Sequence, residues 1–173
     1  MKQRWLVTCL AVTGSVLLAP GASDAQPGQA QVRLPTKDEP LVLGRGNQQY
    51  RVVLVTDGLV GPWDMEFLPD GETLLVTEMA GRLRIVRNGE LLPEPAWEVP
   101  PPGGNDVLHG VVAHPDFEQN RWVYVSYTKS TDQGRSVAVL RGRLENGKLQ
   151  DAEDIFVADA WQPYTQATAA RMI

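Results

Sequence analysis

Trp63-Asp-Met-Glu-Phe-Leu-Pro-Asp-Gly71, followed by Thr73-Leu-Leu-Val-Thr-Glu78, is echoed by Val111-Val-Ala-His-Pro-Asp-Phe117, followed by Arg121-Trp-Val-Tyr-Val-Ser-Tyr127. Each copy is a strand pattern, a Pro-Asp turn and a second strand pattern. The turns begin at Pro69 and Pro115, 46 residues apart, a spacing in the range of one β-propeller blade. Arg171-Met-Ile173 reads as the opening of a third unit. The repeat predicts an all-β chain: a partial β-propeller of about two blades plus the start of a third.

Working outward, Arg51 to Thr56 is a β-branched run, and Trp63, Met65 and Phe67 alternate with Asp64 and Glu66. Leu74 to Thr77 and Leu83 to Val86 follow tight turns at Asp70-Gly71 and Ala80-Gly81, which predicts three antiparallel strands joined by two hairpins. Pro93, Pro95 and Pro100 to Pro102, then Gly103-Gly104, form a connecting loop, because proline lacks the donor an interior strand needs. The second unit contains Gly110 to Ala113, Trp122 to Tyr127, Val137 to Arg143 and Asp154 to Val157, with turns at Asp132-Gln-Gly134 and Asn146-Gly147. Four strands make a blade. Trp122 and Tyr124 point one way and Val123, Val125 and Tyr127 the other, so this strand expects cover on both faces. Stacked blades supply it.

The N-terminus carries Lys2 and Arg4, then a mostly apolar stretch from Trp5 to Leu18, then Ser23-Asp-Ala25. These are the three parts of a secretory signal peptide, and they predict cleavage after Ala25 and export to the periplasm. The apolar stretch is too short and too interrupted to span a membrane. Cys9, the only cysteine, falls inside the leader and lacks a lipobox, so the exported chain has neither disulfide nor lipid. Losing two of the 16 basic and one of the 21 acidic side chains leaves 14 and 20, a net charge of −6. That acidity disfavours nucleic acid as a partner. Residues 26–47, rich in Gln, Gly and Pro, read as a flexible lead-in, and residues 48–173 as the propeller portion.

Gly61-Pro-Trp-Asp-Met-Glu-Phe-Leu-Pro-Asp-Gly71, Thr77-Glu-Met-Ala-Gly-Arg-Leu-Arg-Ile-Val86 and the Val111 to Tyr127 segment together resemble the soluble quinoprotein glucose/sorbosone dehydrogenase family. The resemblance covers roughly residues 50–173 and implies that the chain is the N-terminal part of a six-bladed propeller. It further implies pyrroloquinoline quinone (PQQ) and calcium in a cleft, a sugar substrate oxidised at its anomeric carbon, and an external electron acceptor. Most of the family's cofactor contacts come from later blades. On this resemblance Asn105 stands where the family places a quinone-contacting glutamine, and Ala167 stands where it places the histidine base. Alanine accepts no proton.

His109 is the substitute base to consider, expected in a loop bordering the cleft, with solvent-exposed loop histidine as its plain alternative. His114 precedes Pro115-Asp116 and reads as a turn residue, and Asp106 as a loop cap. Asp64 and Glu66 share one strand face and could present carboxylates to a metal, although an exposed strand face is the simpler reading. Arg82 and Arg84 read as a polar strand face. No metal-ligand set is visible. The function expected is that of a PQQ-dependent aldose dehydrogenase whose N-terminal part alone is inactive; the alternative is a non-catalytic binding or scaffold propeller that has lost its base.

Overall fold

The structure is a computed structural model that describes residues 34–100, 107–163 and 172. The chain divides into two units, Met1–Arg33 and Leu34–Ile173, and the described residues belong to the second. The leader, Asn105, Asp106 and Ala167 lie outside the described residues.

Two sheets carry the repeat. Sheet one runs β3 (Pro62–Phe67), β4 (Thr73–Glu78), β5 (Arg82–Arg87) and β6 (Glu90–Leu91), with β7 (Trp97–Glu98) pairing β5 as well. Sheet two runs β8 (Leu108–Ala113), β9 (Trp122–Thr131), β10 (Gly134–Glu145) and β11 (Lys148–Val157), in the spatial order β11-β10-β9-β8. All pairings within them are antiparallel. A separate hairpin, β1 (Leu41–Arg45) with β2 (Gln48–Val52), precedes them. The expected lead-in therefore contains a strand at Leu41–Arg45, made possible by the turn at Gly46, where φ is 61°. The Arg51 to Thr56 run pairs only as far as Val52.

Turn chemistry explains the hairpins. Asp70 accepts the Glu72 and Thr73 amides at Oδ1 and the Thr73 hydroxyl at Oδ2. Slight burial works to raise its pKa, but the Thr73 and Glu72 hydrogen bonds and the charge of Arg87 outweigh it, so the carboxyl sits below its usual value. In the second unit a four-residue helix, α1 (Phe117–Asn120), replaces that turn. His114 Nδ1 accepts the Asp116 amide there, and its ring stacks on Tyr124. The turn role expected of His114 holds. Asn146 and Gly147 both have positive φ, 50° and 77°, as a two-residue hairpin turn requires.

The core lies between the sheets. Leu75, Leu83 and Ile85 from sheet one meet Val111, Val123, Val125, Tyr127, Ala138 and Leu140 from sheet two, most of them with no exposed surface. Cross-strand pairing places each set on one face, so the predicted division of β9 into two directions is what forms. On the other face of sheet two, the Arg141 and Arg143 guanidinium groups lie 4.2 and 4.8 Å from the Trp122 ring centroid.

Candidate functional site

The chemistry-bearing side chains gather where the inner strands β3 and β8 come side by side. Both strands bulge near their N-terminal ends. In β3 the register slips between Pro62 and Asp64, so Trp63 has no partner on β4; in β8 it slips between Leu108 and Val111. A bulge leaves a backbone amide unpaired, and in each sheet a hydroxyl from the next strand accepts it. Thr77 Oγ1 takes the Asp64 amide at 3.0 Å, and Ser126 Oγ takes the Gly110 amide at 2.8 Å.

Thr77 also links the two sheets. Its hydroxyl donates to the His109 carbonyl at 2.7 Å, while His109 Nε2 lies 2.9 Å from Thr128 Oγ1. The Thr128 amide donates to the Val107 carbonyl. A chain of hydrogen bonds thus runs from β3 through β4 to the start of β8 and on to β9. His109 is 6% exposed and lies within β8. This corrects the expectation of an exposed loop position: the residues after 107 pair with β9, and the bulge turns the imidazole onto Thr128. Burial holds its pKa below the ordinary 6.5, so the ring is neutral near pH 7.

The carboxylates of β3 form the second link. Asp64 Oδ2 accepts the Val111 amide at 3.1 Å and Glu66 Oε1 accepts the Ala113 amide at 3.4 Å. The reading of Asp64 and Glu66 as an exposed face is corrected: matched two-residue spacings on two adjacent strand edges let side-chain oxygens stand in for a missing β-ladder. Neither carboxylate gathers a metal set. Among the described residues no group of three or more His, Cys, Asp or Glu could hold a metal ion.

A third cluster lies at the end of β4. Glu78 has no exposed side-chain surface; its Oε1 accepts the Val60 amide at 2.6 Å and its Oε2 meets Arg82 Nε at 2.7 Å and Arg84 Nη1 at 3.6 Å. Arg84, read from sequence as a strand-face residue, is buried, with its Nη2 on the Leu92 carbonyl at 2.8 Å. Removing one partner of such a buried set leaves an uncompensated charge. Sequence reading passed over Glu78; the i, i+4 spacing to Arg82 across a Gly81 hairpin was the one available signal.

Two sheets of repeated design, coupled edge to edge through their inner strands, define a stretch of β-propeller. The chain matches the family model for Glucose / Sorbosone dehydrogenase over residues 59–173. It is 36% identical over 137 residues to the uncharacterized protein slr1608 of Synechocystis sp., covering 72% of this chain and 32% of that one. Aldose sugar dehydrogenase YliI of Escherichia coli is 36% identical over 110 residues, covering 61% and 30% of the two chains. The solved apo-form of the soluble aldose sugar dehydrogenase from Escherichia coli superposes with a TM-score of 0.56 at 33% identity, over 62% of this chain and 33% of that one. The chain belongs to the glucose/sorbosone dehydrogenase family and spans about a third of the length of the curated relatives it matches. Among the described residues no helix is long and apolar enough to cross a membrane.

Proposed function

We propose that this chain supplies the first blades of a periplasmic, PQQ-dependent aldose dehydrogenase and has no dehydrogenase activity by itself. The match to the family model over residues 59–173 carries the reading, and the aldose sugar dehydrogenase of Escherichia coli supports an aldose as substrate. The signal-peptide pattern of residues 1–25 supports export. In this chemistry the quinone, when bound with calcium, takes two electrons from the sugar and passes them to an external acceptor. Among the described residues no group of three or more His, Cys, Asp or Glu could hold a metal ion, and none of them is assigned to calcium. Their task is positional. Thr77, His109 and Thr128 fix the start of β8, directly after the segment that holds Asn105, the residue we assign to the quinone.

A non-catalytic scaffold is the second reading, favoured by Ala167 at the base position and by the engagement of His109 with Thr128. The full-length protein bearing this sequence, reconstituted with PQQ and calcium and given aldoses with a dye acceptor, separates the two. Saturable quinone binding with dye reduction is the expected result. Quinone binding without turnover selects the scaffold, and the absence of both overturns the family function for this protein.

A further inference from the structure

Asn-Gly stands at two hairpin turns, Asn88-Gly89 between β5 and β6 and Asn146-Gly147 between β10 and β11. The two share one backbone conformation. Their φ angles are 51° and 77° in the first and 50° and 77° in the second, and each turn joins a cross-strand pair, Arg87 with Glu90 and Glu145 with Lys148. Both asparagines are exposed. Neither glycine amide has an acceptor among the described residues, so each nitrogen is free to turn onto the side-chain carbonyl carbon of the asparagine before it. The surroundings differ. The Asn88 amide donates to the Glu72 carbonyl at 3.1 Å, and a Cβ at Gly89 would lie 3.4 Å from the Val55 carbonyl oxygen, so backbone from two other segments braces that turn. A Cβ at Gly147 would meet nothing within 4 Å. Asp70-Gly71 shows a pair of this kind closed to the chemistry: the Gly71 amide donates to the Leu68 carbonyl at 3.0 Å, and Glu72 and Thr73 engage both carboxylate oxygens.

We propose that Asn146 is a site of spontaneous backbone modification by deamidation, and that its bracing holds Asn88 back. Attack requires the turn to open locally, and a turn with fewer contacts opens more often. The Gly147 nitrogen gives up its proton and bonds to Asn146 Cγ; the Cγ–Nδ2 bond breaks and ammonia leaves, which closes a succinimide ring. Water then opens the ring at Cγ, giving aspartate, or at the main-chain carbonyl, giving isoaspartate, in which the chain runs through Cβ and Cγ. Nothing is oxidised or reduced. Isoaspartate lengthens a turn whose two residues set the β10–β11 register. That register carries a contact between the sheets at their rim. Lys148 Nζ donates to the Pro95 carbonyl and the Leu149 amide to the Ala96 carbonyl, both at 2.9 Å, and Leu149 and Ala96 belong to the shared core. The modification therefore loosens the junction of the two sheets on its outer side.

Ageing the 173-residue chain in mildly alkaline buffer, native and in denaturant, tests this by peptide mass spectrometry with fragmentation that distinguishes isoaspartate from aspartate. The rate in denaturant gives each site its own reference. Relative to that reference, native Asn146 should react at least about fivefold faster than native Asn88, a factor equivalent to about 1 kcal/mol and so to the one hydrogen bond that holds Asn88. Amide exchange at Leu149 should quicken in the isoaspartate form. Asn146→Gly, which leaves a Gly-Gly pair suited to the turn, should abolish modification at this position and keep Leu149 protected on ageing. Equal relative rates at the two sites, a faster Asn88, or a native chain in which neither site reacts overturns the proposal. So does isoaspartate at position 146 that leaves Leu149 as protected as before.

Discussion

Sheet one and sheet two are the same device with different rims. In both, the inner strand bulges, the bulge amide is taken by a hydroxyl on the next strand, and the turn ends by returning an amide across the hairpin: Leu68 to the Thr73 carbonyl in one, His114 to the Trp122 carbonyl in the other. The offset is 46 residues up to the turn and 49 beyond it, because α1 makes the second turn three residues longer. Outward from the second strand the sheets part company. Sheet one ends in two pieces of two residues each, β6 and β7, between which stand Pro93 and Pro95. Sheet two ends in continuous strands of 12 and 10 residues. The inner half faces neighbouring sheets and must keep its geometry, whereas the rim meets water and is free to vary.

The sharpest ways to break this comparison lie in the shared core. Leu83→Ala in sheet one and Leu140→Ala in sheet two remove fully buried side chains that meet at the same interface. Each should cost about 2–5 kcal/mol in chemical denaturation, and similar values for the two would mark a single cooperative unit. Independent melting of the two sheets would break it.

Next comes the hydroxyl that joins the sheets. Thr77→Val keeps the volume but leaves the Asp64 amide and the His109 carbonyl without their partner, at about 1–3 kcal/mol for a buried group left unsatisfied. Ser126→Ala, which removes the acceptor of the Gly110 bulge amide within sheet two, should cost less. Equal losses would deny Thr77 its bridging role.

Acid titration gives a smaller effect with a defined sign. Burial lowers the folded pKa of His109 below 6.5, so the unfolded chain takes up the proton first. His109 contributes its full stability above about pH 6.5, and that contribution is lost as pH falls through the lower folded value. Replacing His109 with Gln should flatten this part of the stability profile, below about pH 6.5, an effect readable in thermal melts. An unchanged profile would show that His109 stays solvated. Smallest of all, Arg143→Ala removes an exposed cation–π contact on Trp122 and should cost about 0.5–1 kcal/mol.

Much of the fold was legible in the sequence because strands and turns are local. Period-two alternation located β3, β5 and β9 to within a few residues, the apolar run after Asp70-Gly71 located β4, and Pro-Asp and Asn-Gly located the turns. The junction was not legible, for physical reasons. Asp64 and Glu66 on alternate positions look the same whether they face water or the amides of a strand edge 47 residues away. His109 follows a run of prolines and glycines, so its neighbourhood reads as loop until the β8–β9 register is known. Glu78 carries a charge at a strand end, where exposure is the default, and only the three-dimensional return of Val60, Arg82 and Arg84 buries it. Candidate sites of this kind arise from pairings between units rather than from patterns within them.

The central claim, that β3 and β8 are successive inner strands coupled by carboxylates, is tested most directly by amide hydrogen exchange at Val111 and Ala113. In the unaltered chain both amides should be protected as strongly as ladder amides, although neither needs β9 as its acceptor. Asp64→Ala should lower protection at Val111 by about tenfold or more, in keeping with about 1–3 kcal/mol for the lost charged acceptor, and leave the β9–β10 ladder unchanged. Fast exchange at Val111 in the unaltered chain, or protection that Asp64→Ala does not touch, would contradict the account.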